Sequence, residues 1–368
     1  MKTNNLFGTA GKGTVMKKKF LKAAKAALAC FTVLAVSVCA VACSSVLDEE
    51  VDPVAQEDFR VTAYMVGDRF LNADEIDYSH FDQVTDFIFM SMADFGTDGM
   101  ITLNADFDTA YNNIKPYLPE DAAFYVNLLG PKSTLETDDW NEQMADQGAL
   151  HNQAFASGNL EGQIKELLEE YDFDGVYFDY EYPVDQVNWD GFNEFIVSLD
   201  EYLGDDYKIG MALSDWDLKQ TPEAVAATDF VEVMSYDNWD DDGNHAPYEN
   251  AEKSLEAVLD AGYERSKIGL GLPFYARPTT QEEYWYDYKT YCDLLDENGL
   301  FEDAETGLTF SFNTYDVIKQ KTELAVNCGL GGVMIWHYSC DASADHPESL
   351  FNAIEDGIQT AYAQPQAE

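Results

Sequence analysis

Basic residues are scarce in this sequence of 368 residues, which carries 21 Lys and Arg against 69 Asp and Glu, a formal net charge of −48. A surface of this charge repels phosphate backbones, so nucleic-acid binding is excluded. The five histidines are scattered without the spacing of metal ligands. An acidic stretch at 238–249 imitates a calcium-binding loop, but it begins with Asn238 and is interrupted by Pro247. The sequence therefore predicts neither a metal nor a cofactor.

Cysteines are few, and the motifs of several enzyme classes are missing. Beyond residue 43 the chain has Cys292, Cys328 and Cys340, an odd number for which one disulfide plus a thiol and three free thiols both fit. No glycine-rich turn follows the first predicted strand, which disfavours a doubly wound dinucleotide-binding sheet. Neither a G-x-S-x-G motif nor a cysteine-nucleophile signature occurs, so hydrolysis by a serine or cysteine nucleophile is not predicted.

Long apolar runs are also rare, and the one that stands out is N-terminal. Residues 26–42 are apolar, follow a lysine-rich start and are too short for a membrane-spanning helix. Residues 1–43 are therefore predicted to be a signal peptide, with Met16 as an alternative start. The run ends in AVACSS, which resembles a bacterial lipobox with Cys43 as the lipidated residue. An ordinary cleaved signal is the alternative.

An acidic, unpatterned stretch follows the signal at 44–58 and is typical of a tether. These features predict an extracytoplasmic bacterial lipoprotein that is held at the cell membrane by its lipid alone, or otherwise a secreted protein. The rest of the chain, residues 59–363, has ample apolar residues for a large core, since 46% of the sequence is apolar.

Strand-like and helix-like runs alternate along residues 59–363. The strand candidates are 61–66, 84–92, 122–129, 175–181, 207–213, 230–236, 268–273 and 332–336. Runs with helical spacing lie between them, for example at 160–171 and 314–327. Eight buried strands that alternate with helices predict an α/β fold, the (β/α)8 TIM barrel.

The fourth predicted strand carries two carboxylates within an apolar and aromatic run, FDGVYFDYEYP at 173–183. Side chains alternate along a strand, so Tyr177, Asp179 and Glu181 share one face. Burying ionised groups is unfavourable, and such a pair therefore indicates either an open strand end or a function. Active sites of TIM barrels gather at the carboxyl ends of the strands, where these two carboxylates would lie.

Five motifs resemble glycoside hydrolase family 18, the chitinases and endo-β-N-acetylglucosaminidases. DGVYFDYE at 174–181 resembles the family signature DxxDxDxE. In the same order as in the family follow MSYD at 234–237, GNHAP at 243–247, KIGLGLPFYAR at 267–277 and GLGGVMIW at 329–336. The resemblance covers roughly residues 60–340, and it implies a catalytic barrel at 59–363 with a reduced insertion between strands seven and eight.

The resemblance implies hydrolysis of β-1,4 bonds at N-acetylglucosamine by a substrate-assisted retaining mechanism. Glu181 would protonate the glycosidic oxygen and then activate water, while Asp179 would orient the N-acetyl group, whose carbonyl is the nucleophile. Residues two apart on a strand are roughly 6.6 Å apart, a spacing that lets each carboxylate reach its own target. Chitin oligosaccharides and the chitobiose core of N-glycans are both substrates of this family.

Further residues are assigned by the same matches. Tyr236 would join the catalytic group, Trp336 would stack under the sugar, and Arg277 would bind substrate or pair with an acidic neighbour. The complete set of expected substrate-binding residues is Tyr64, Met234, Asp237, Arg277 and Trp336.

One residue of the signature departs from the family, because Tyr177 stands where the family has its middle aspartate. This departure bears on the proton arrangement beside Asp179 and on the pH optimum. The alternative function is a lectin-like barrel that binds chitin or glycans without hydrolysis. The presence of Glu181 favours the enzyme.

Overall fold

The computed structural model describes Leu47, residues 51–180 and residues 185–363. Two residues assigned above, Cys43 and Glu181, lie outside this described part. Residues 50–368 form one structural unit. Among the described residues, no helix combines the length and the apolar character that crossing a membrane requires.

A closed parallel barrel occupies the centre of the unit. Eight strands pair in the order β1-β13-β8-β7-β6-β5-β4-β2, and β2 pairs in turn with β1. The short strand β3 extends β2 as an antiparallel hairpin. In the described residues the strands are β1 (Arg60–Val66), β2 (Asp86–Phe95), β3 (Ile101–Leu103), β4 (Ala123–Leu129), β5 (Gly175–Phe178), β6 (Lys208–Leu213), β7 (Phe230–Val233), β8 (Ile268–Pro273), β9 (Tyr275–Pro278), β10 (Tyr286–Asp287), β11 (Leu300–Glu302), β12 (Thr309–Ser311) and β13 (Gly332–Trp336).

Helices surround the barrel and confirm the predicted (β/α)8 architecture. Side-chain caps fix where two of them begin: Asp139 accepts the N–H groups of Asn141 and Glu142, and Asp185 accepts the N–H of Asn188. The helices of the described residues are α1 (Phe107–Ile114), α2 (Trp140–Phe155), α3 (Leu160–Tyr171), α4 (Gln186–Leu203), α5 (Pro222–Ala227), α6 (Tyr248–Asp260), α7 (Tyr288–Tyr291), α8 (Tyr315–Asn327) and α9 (Leu350–Ala363).

The predicted insertion between the last two barrel strands is present and small. It contains α7 and a four-stranded antiparallel sheet in the order β10-β9-β12-β11. Because β9 follows β8 after a single residue, this small sheet stands directly at the carboxyl-end rim of the barrel.

Two barrel strands are shorter than the sequence predicted. β5 ends at Phe178, where its pairing with Leu128 and Met211 stops, and Asp179 therefore begins the loop. β7 likewise ends at Val233, so the MSYD motif follows the strand rather than completing it. The polar side chains of both segments therefore lie at the rim of the barrel, beyond the last paired residues of their strands.

Aromatic and aliphatic side chains fill the barrel interior. The interior cluster consists of Tyr64, Ile88, Met90, Tyr125, Tyr177, Ala212, Phe230 and Met334. The glycine of the DG pair allows β5 and β6 to approach, since a Cβ at Gly175 would collide with the backbone oxygen of Lys208.

Three cysteines lie in the described residues of the barrel unit, and residue 54 near its start also makes a contact. Cys292, Cys328 and Cys340 are all free thiols, which settles the two alternatives left open by the sequence. The last part of the predicted tether contacts the barrel unit, because the Tyr362 hydroxyl donates to the Val54 carbonyl at 2.8 Å.

Candidate active site

One cavity of about 410 Å³ at the carboxyl ends of the strands collects the residues that the sequence singled out. Seven of the eight residues assigned to catalysis or substrate binding line it, and the eighth, Glu181, lies outside the described residues. The seven are Tyr64, Asp179, Met234, Tyr236, Asp237, Arg277 and Trp336. They come from β1, β9, β13 and the segments after β5 and β7, so the barrel and its small insertion sheet together bring them to one rim.

Asp179 is half-buried at the rim, and a pair of buried tyrosines lies inside the barrel next to it. The Tyr64 hydroxyl donates to the Tyr177 hydroxyl at 2.8 Å, and both side chains are at most 1% exposed. The negative charge of Asp179 raises the pKa of both tyrosines, although burial is the larger cause for each. Tyr177, the residue that departs from the family signature, is thus an uncharged hydrogen-bonding group beside Asp179.

Asp237 forms the most extensive charged network of the cavity. Its carboxylate receives two hydrogen bonds from Arg277, at 2.9 and 2.7 Å, and one from the Tyr275 hydroxyl at 2.7 Å. His245 Nε2 lies 3.2 Å from Oδ1 of the same carboxylate. Burial raises the pKa of Asp237, but the contact with His245 and the hydrogen bonds from Arg277 and Tyr275 outweigh it and hold the pKa well below its ordinary value. Arg277 therefore pairs with an acidic neighbour, which is the second of its two predicted roles.

A buried lysine supports the loop that carries this network. Lys321 on α8 donates to the Ala246 carbonyl at 2.6 Å and to Asn313 Oδ1 at 2.7 Å. Asn313 in turn donates to the His245 carbonyl at 2.9 Å. Ala246 has a positive φ of 47°, a conformation that needs such support in a residue other than glycine. The loop after β7 is thereby fixed from the helix side.

Aromatic rings form the floor and one wall of the cavity. Trp336, at the end of β13, contacts Tyr64 edge to face with ring centroids 4.9 Å apart. Trp285 is stacked between Tyr275 and His337, at 5.6 Å from each ring. Burial lowers the pKa of His337 to about 3, so this ring stays neutral in the stack. Flat apolar faces of this kind bind the faces of sugar rings.

The cavity continues on both sides. A second cavity of about 400 Å³ shares Met234, Tyr236 and Asp237 with the first and extends to Trp140 and Trp216. These two tryptophans are 50% and 48% exposed, with ring centroids 6.0 Å apart. Sequence reasoning missed them, because Trp140 opens α2, Trp216 lies in the loop after β6, and neither belongs to a motif.

On the other side, a cavity of about 640 Å³ shares Asp68 and Arg69 with the central one. Its lining is more polar and includes Lys289 and His346. The three cavities therefore form a continuous cleft across the rim.

Sequence reasoning also missed a carboxyl inside the barrel. Glu232 on β7 is fully buried, and Thr62 donates to its Oε1 at 2.8 Å. The alternation of Phe230, Glu232 and Met234 along the strand was the available signal, since it places a carboxyl on the interior face of the barrel.

One group outside the central cavity has the donor atoms of a metal site. The ligand atoms of Cys292, Asp293 and His346 lie within 4.8 Å of one another. However, His346 Nδ1 accepts the N–H of Glu348 at 3.2 Å, which leaves the proton of the neutral ring on Nε2, facing Asp293 at 3.4 Å. This arrangement favours a surface hydrogen bond over a metal ligand.

Comparison with known proteins agrees with this geometry. Chitinase 1 of Aphanocladium album is 24% identical over 245 residues, which cover 52% of this chain and 57% of that protein. Probable chitinase 2 of Drosophila melanogaster is 24% identical over 57% of this chain and 56% of its own length. This chain thus spans just over half the length of these relatives.

Solved structures give the same fold. The crystal structure of the GH18 chitinase ChiB from the chitin utilization locus of Flavobacterium johnsoniae has a TM-score of 0.65 at 21% identity. The likeness covers 82% of this chain and 94% of that chain. The model of the glycosyl hydrolases family 18 matches residues 149–341, more than half of the chain. The protein therefore belongs to the glycosyl hydrolases family 18.

Proposed function

We propose that this protein hydrolyses β-1,4 glycosidic bonds at N-acetylglucosamine residues by a substrate-assisted retaining mechanism. The observation that carries the proposal is the central cavity, in which Asp179 faces the same space as Tyr236 and Trp336. A carboxylate beside an aromatic floor suits a neutral sugar that bears a polar acetamido group. The alternative function, glycan binding without turnover, uses the same cavity. An assay of hydrolysis distinguishes the two functions.

Each side chain has a separate task in the proposed reaction. Trp336 stacks under the reacting sugar, and Asp179 accepts the acetamido N–H, so that the carbonyl oxygen is directed to the anomeric carbon. As the glycosidic bond breaks, the negative charge of Asp179 stabilises the positive oxazolinium ring. Glu181 gives its proton to the leaving oxygen and then takes one from the attacking water. The role of Glu181 rests on the motif at 174–181.

The Asp237–Arg277 pair is proposed to form a rigid, ionised wall of the sugar site. Both carboxylate oxygens of Asp237 already accept hydrogen bonds from Arg277. A group that is held in this way requires no reorganisation when substrate binds. The family resemblance also implies that Asp237 and Tyr236 contact the acetamido group, and at Asp237 this contact is shared with the hydrogen bonds from Arg277.

The cleft supports an oligosaccharide substrate rather than a single terminal sugar. Cavities continue from the central one in both directions, and Trp140 and Trp216 supply exposed rings on one side. Chitin oligosaccharides and the chitobiose core of N-glycans both present such a chain. The names of the relatives favour chitin oligosaccharides.

The experiment compares the purified protein on chitohexaose and on a high-mannose glycopeptide. Release of shorter oligosaccharides from chitohexaose alone indicates a chitinase, and release of glycan from the glycopeptide indicates an endoglycosidase. Glu181→Gln is expected to lower kcat by 10²–10⁴-fold with little change in affinity. Binding without turnover in the wild type supports the lectin-like alternative, and near-wild-type turnover of Glu181→Gln contradicts the mechanism.

We also propose that the protein works outside the cytoplasm, anchored at the membrane through lipidated Cys43, with residues 44–58 joining the anchor to the barrel. The support is the N-terminal sequence pattern. Metabolic labelling with a radioactive fatty acid tests the anchor. Label on the wild type and none on Cys43→Ala is expected; label on both, or on neither, rejects the lipid anchor and leaves secretion.

A further inference from the structure

A buried carboxyl lies in the barrel interior beneath the proposed site and is not used by the mechanism above. Glu232 is 0% exposed and lies on β7 between Phe230, a member of the interior cluster, and Met234, which packs against that cluster. A carboxyl in such surroundings is unfavourable for folding unless it is partnered. Its surroundings therefore require an explanation.

The barrel has space for this carboxyl, but only one of its two oxygens has a hydrogen-bond partner among the described residues. Oε1 accepts the hydrogen bond from Thr62, whereas Oε2 is buried and has no hydrogen-bond partner among the described residues. Gly269 is the residue paired with Glu232 on β8, and a Cβ there would collide with Oε2. A larger residue at 269 would displace the carboxyl, so the glycine and Glu232 form one fitted pair.

Two buried tyrosines share the barrel interior with this carboxyl, and the Tyr177 ring packs against Phe230, two residues before Glu232 on β7, with ring centroids 5.9 Å apart. Burial raises the pKa of Tyr177 well above its ordinary value, and Glu232 is the nearby charge with the largest effect, ahead of Asp179. Tyr64 and Tyr177 share one hydrogen bond at 2.8 Å. Two hydroxyl groups have two protons, so one O–H of the pair is left to donate to a carboxylate.

We propose that Glu232 is a positioning residue for the proposed reaction, which acts on Asp179 through the Tyr177–Tyr64 hydroxyl pair. With Glu232 neutral, the remaining O–H of the pair is directed to Asp179. With Glu232 ionised, the O–H is drawn towards the interior, and the added negative charge strengthens proton binding by the proposed acid, Glu181. The inference rests on the proposed function.

The charged and titratable groups around Glu232 allow this change near neutral pH. Burial raises the pKa of Glu232 to about 7, although Arg60 and the hydrogen bond from Thr62 lower it; Asp86 on β2 raises it further. Tyr177 on β5 also interacts electrostatically with it. The paired residues of the two neighbouring strands, Ala212 and Gly269, do not titrate. Glu232 is therefore neutral in acid and ionised above about pH 7.

The test is the pH profile of kcat/KM on chitohexaose for the wild type, Glu232→Gln and Glu232→Asp. Glu232→Gln cannot ionise, so the basic limb of its profile is expected to move to lower pH by about one unit, which is about a tenfold loss at pH 8. At pH 5 the two proteins are expected to agree within about twofold. Glu232→Asp restores the charge and is expected to move the limb back towards that of the wild type.

The matched control is Asp86→Asn, which removes another buried interior carboxyl. Asp86 is hydrogen-bonded by Thr85 and Tyr125 and is not among the charges that act most on Tyr177. Loss of Asp86 lowers the pKa of Glu232 but leaves its charge present at basic pH, so the basic limb is expected to stay in place. Superimposable profiles of wild type and Glu232→Gln overturn the proposal, and so does an equal loss at every pH with a lower melting temperature, the mark of a purely structural role.

A second measurement tests the coupling between Glu232 and Asp179 without depending on hydrolysis. If the wild type hydrolyses none of the substrates, the ¹³C chemical shift of the Asp179 carboxyl is followed from pH 4 to 9 in the wild type and in Glu232→Gln. A second inflection near pH 7 that disappears in Glu232→Gln supports the coupling without any turnover. Identical Asp179 curves in both proteins overturn it.

Discussion

Two carboxyls five residues apart, Asp237 after β7 and Glu232 within it, have opposite surroundings. Asp237 keeps 40% of its side chain exposed and accepts three hydrogen bonds from Arg277 and Tyr275. Glu232 is fully buried and accepts a single hydrogen bond, from Thr62. Accordingly the pKa of Asp237 is held well below its ordinary value, whereas burial raises that of Glu232 to about 7.

The difference shows that burial and hydrogen-bond partners together decide what a carboxyl can do. With a bidentate guanidinium and a hydroxyl, Asp237 remains ionised over the whole working range and serves as a fixed wall. With one oxygen unpartnered, Glu232 changes charge near neutral pH and can respond to its surroundings. The first group contributes rigidity to the cavity, and the second contributes pH dependence.

Of the two carboxyls, the ionised Asp237 is expected to have the larger effect on activity when it is removed. Asp237→Ala leaves Arg277 and the Tyr275 hydroxyl without their acceptor at the cavity wall, so both side chains shift. A misplacement of about 1 Å near a reacting group lowers the rate roughly 100-fold, which is the loss of kcat/KM expected on chitohexaose.

The matched control for this variant is Asp241→Ala, which removes an exposed carboxylate from the same loop. Its kcat/KM is expected to stay within about twofold of the wild type. Equal activity of Asp237→Ala and Asp241→Ala would mean that Asp237 is not part of the sugar site.

Removing the buried amine of Lys321, which holds the loop after β7, is expected to lower the stability of the protein. Lys321→Met leaves the Ala246 carbonyl and Asn313 Oδ1 buried without a donor, and each such acceptor costs about 1–3 kcal/mol. The free energy of unfolding in urea is therefore expected to fall by about 3 kcal/mol. Lys319→Met, two residues away on α8 and less buried, is the control, and a loss of similar size there would remove the special role of Lys321.

The sequence predicted the barrel because its eight strands are continuous apolar runs, and it predicted the cavity because the motifs stand at strand ends. It also offered pairing with an acidic neighbour as one role of Arg277. It could not identify Asp237 as that neighbour, since the contact depends on how β9 leaves β8. It could not find the Trp140–Trp216 pair, because 76 positions separate the two residues.

For two other residues a signal was present and was not used. Glu232 occupies the interior register of a short apolar strand, where a carboxyl is conspicuous. Lys321 lies at helical spacing with Ile318 and Ala325, on the buried face of α8. A charged residue in an otherwise apolar register is therefore worth treating as a candidate for function or for loop support.

The side chain of Glu232 is expected to make the stability of the protein depend on pH. The pKa of Glu232 is raised on folding, so its contribution to stability is complete below its ordinary pKa and is lost as pH rises through about 7. Glu232→Gln, which stays neutral, is expected to match the wild type at pH 5 and to be more stable by about 2 kcal/mol at pH 8. Urea unfolding at both pH values measures this, and a constant difference between the proteins would show that Glu232 does not titrate between them.

The smallest expected effect lies at the outer end of the cleft, away from both carboxyls. Trp216→Ala removes one ring of the exposed pair with Trp140, and a sugar stacked there loses an aromatic contact of about 1 kcal/mol, or about fivefold in KM. Only substrates long enough to reach this pair feel the loss, so KM is expected to rise for chitohexaose and to stay unchanged for chitobiose derivatives. Leu294→Ala, a similarly exposed apolar side chain outside the lining of the three cavities, serves as the control. An equal rise of KM for short and long substrates would mean that Trp216 acts on the central cavity itself. The Trp140–Trp216 pair could then not be treated as a region separate from Asp237 and Glu232.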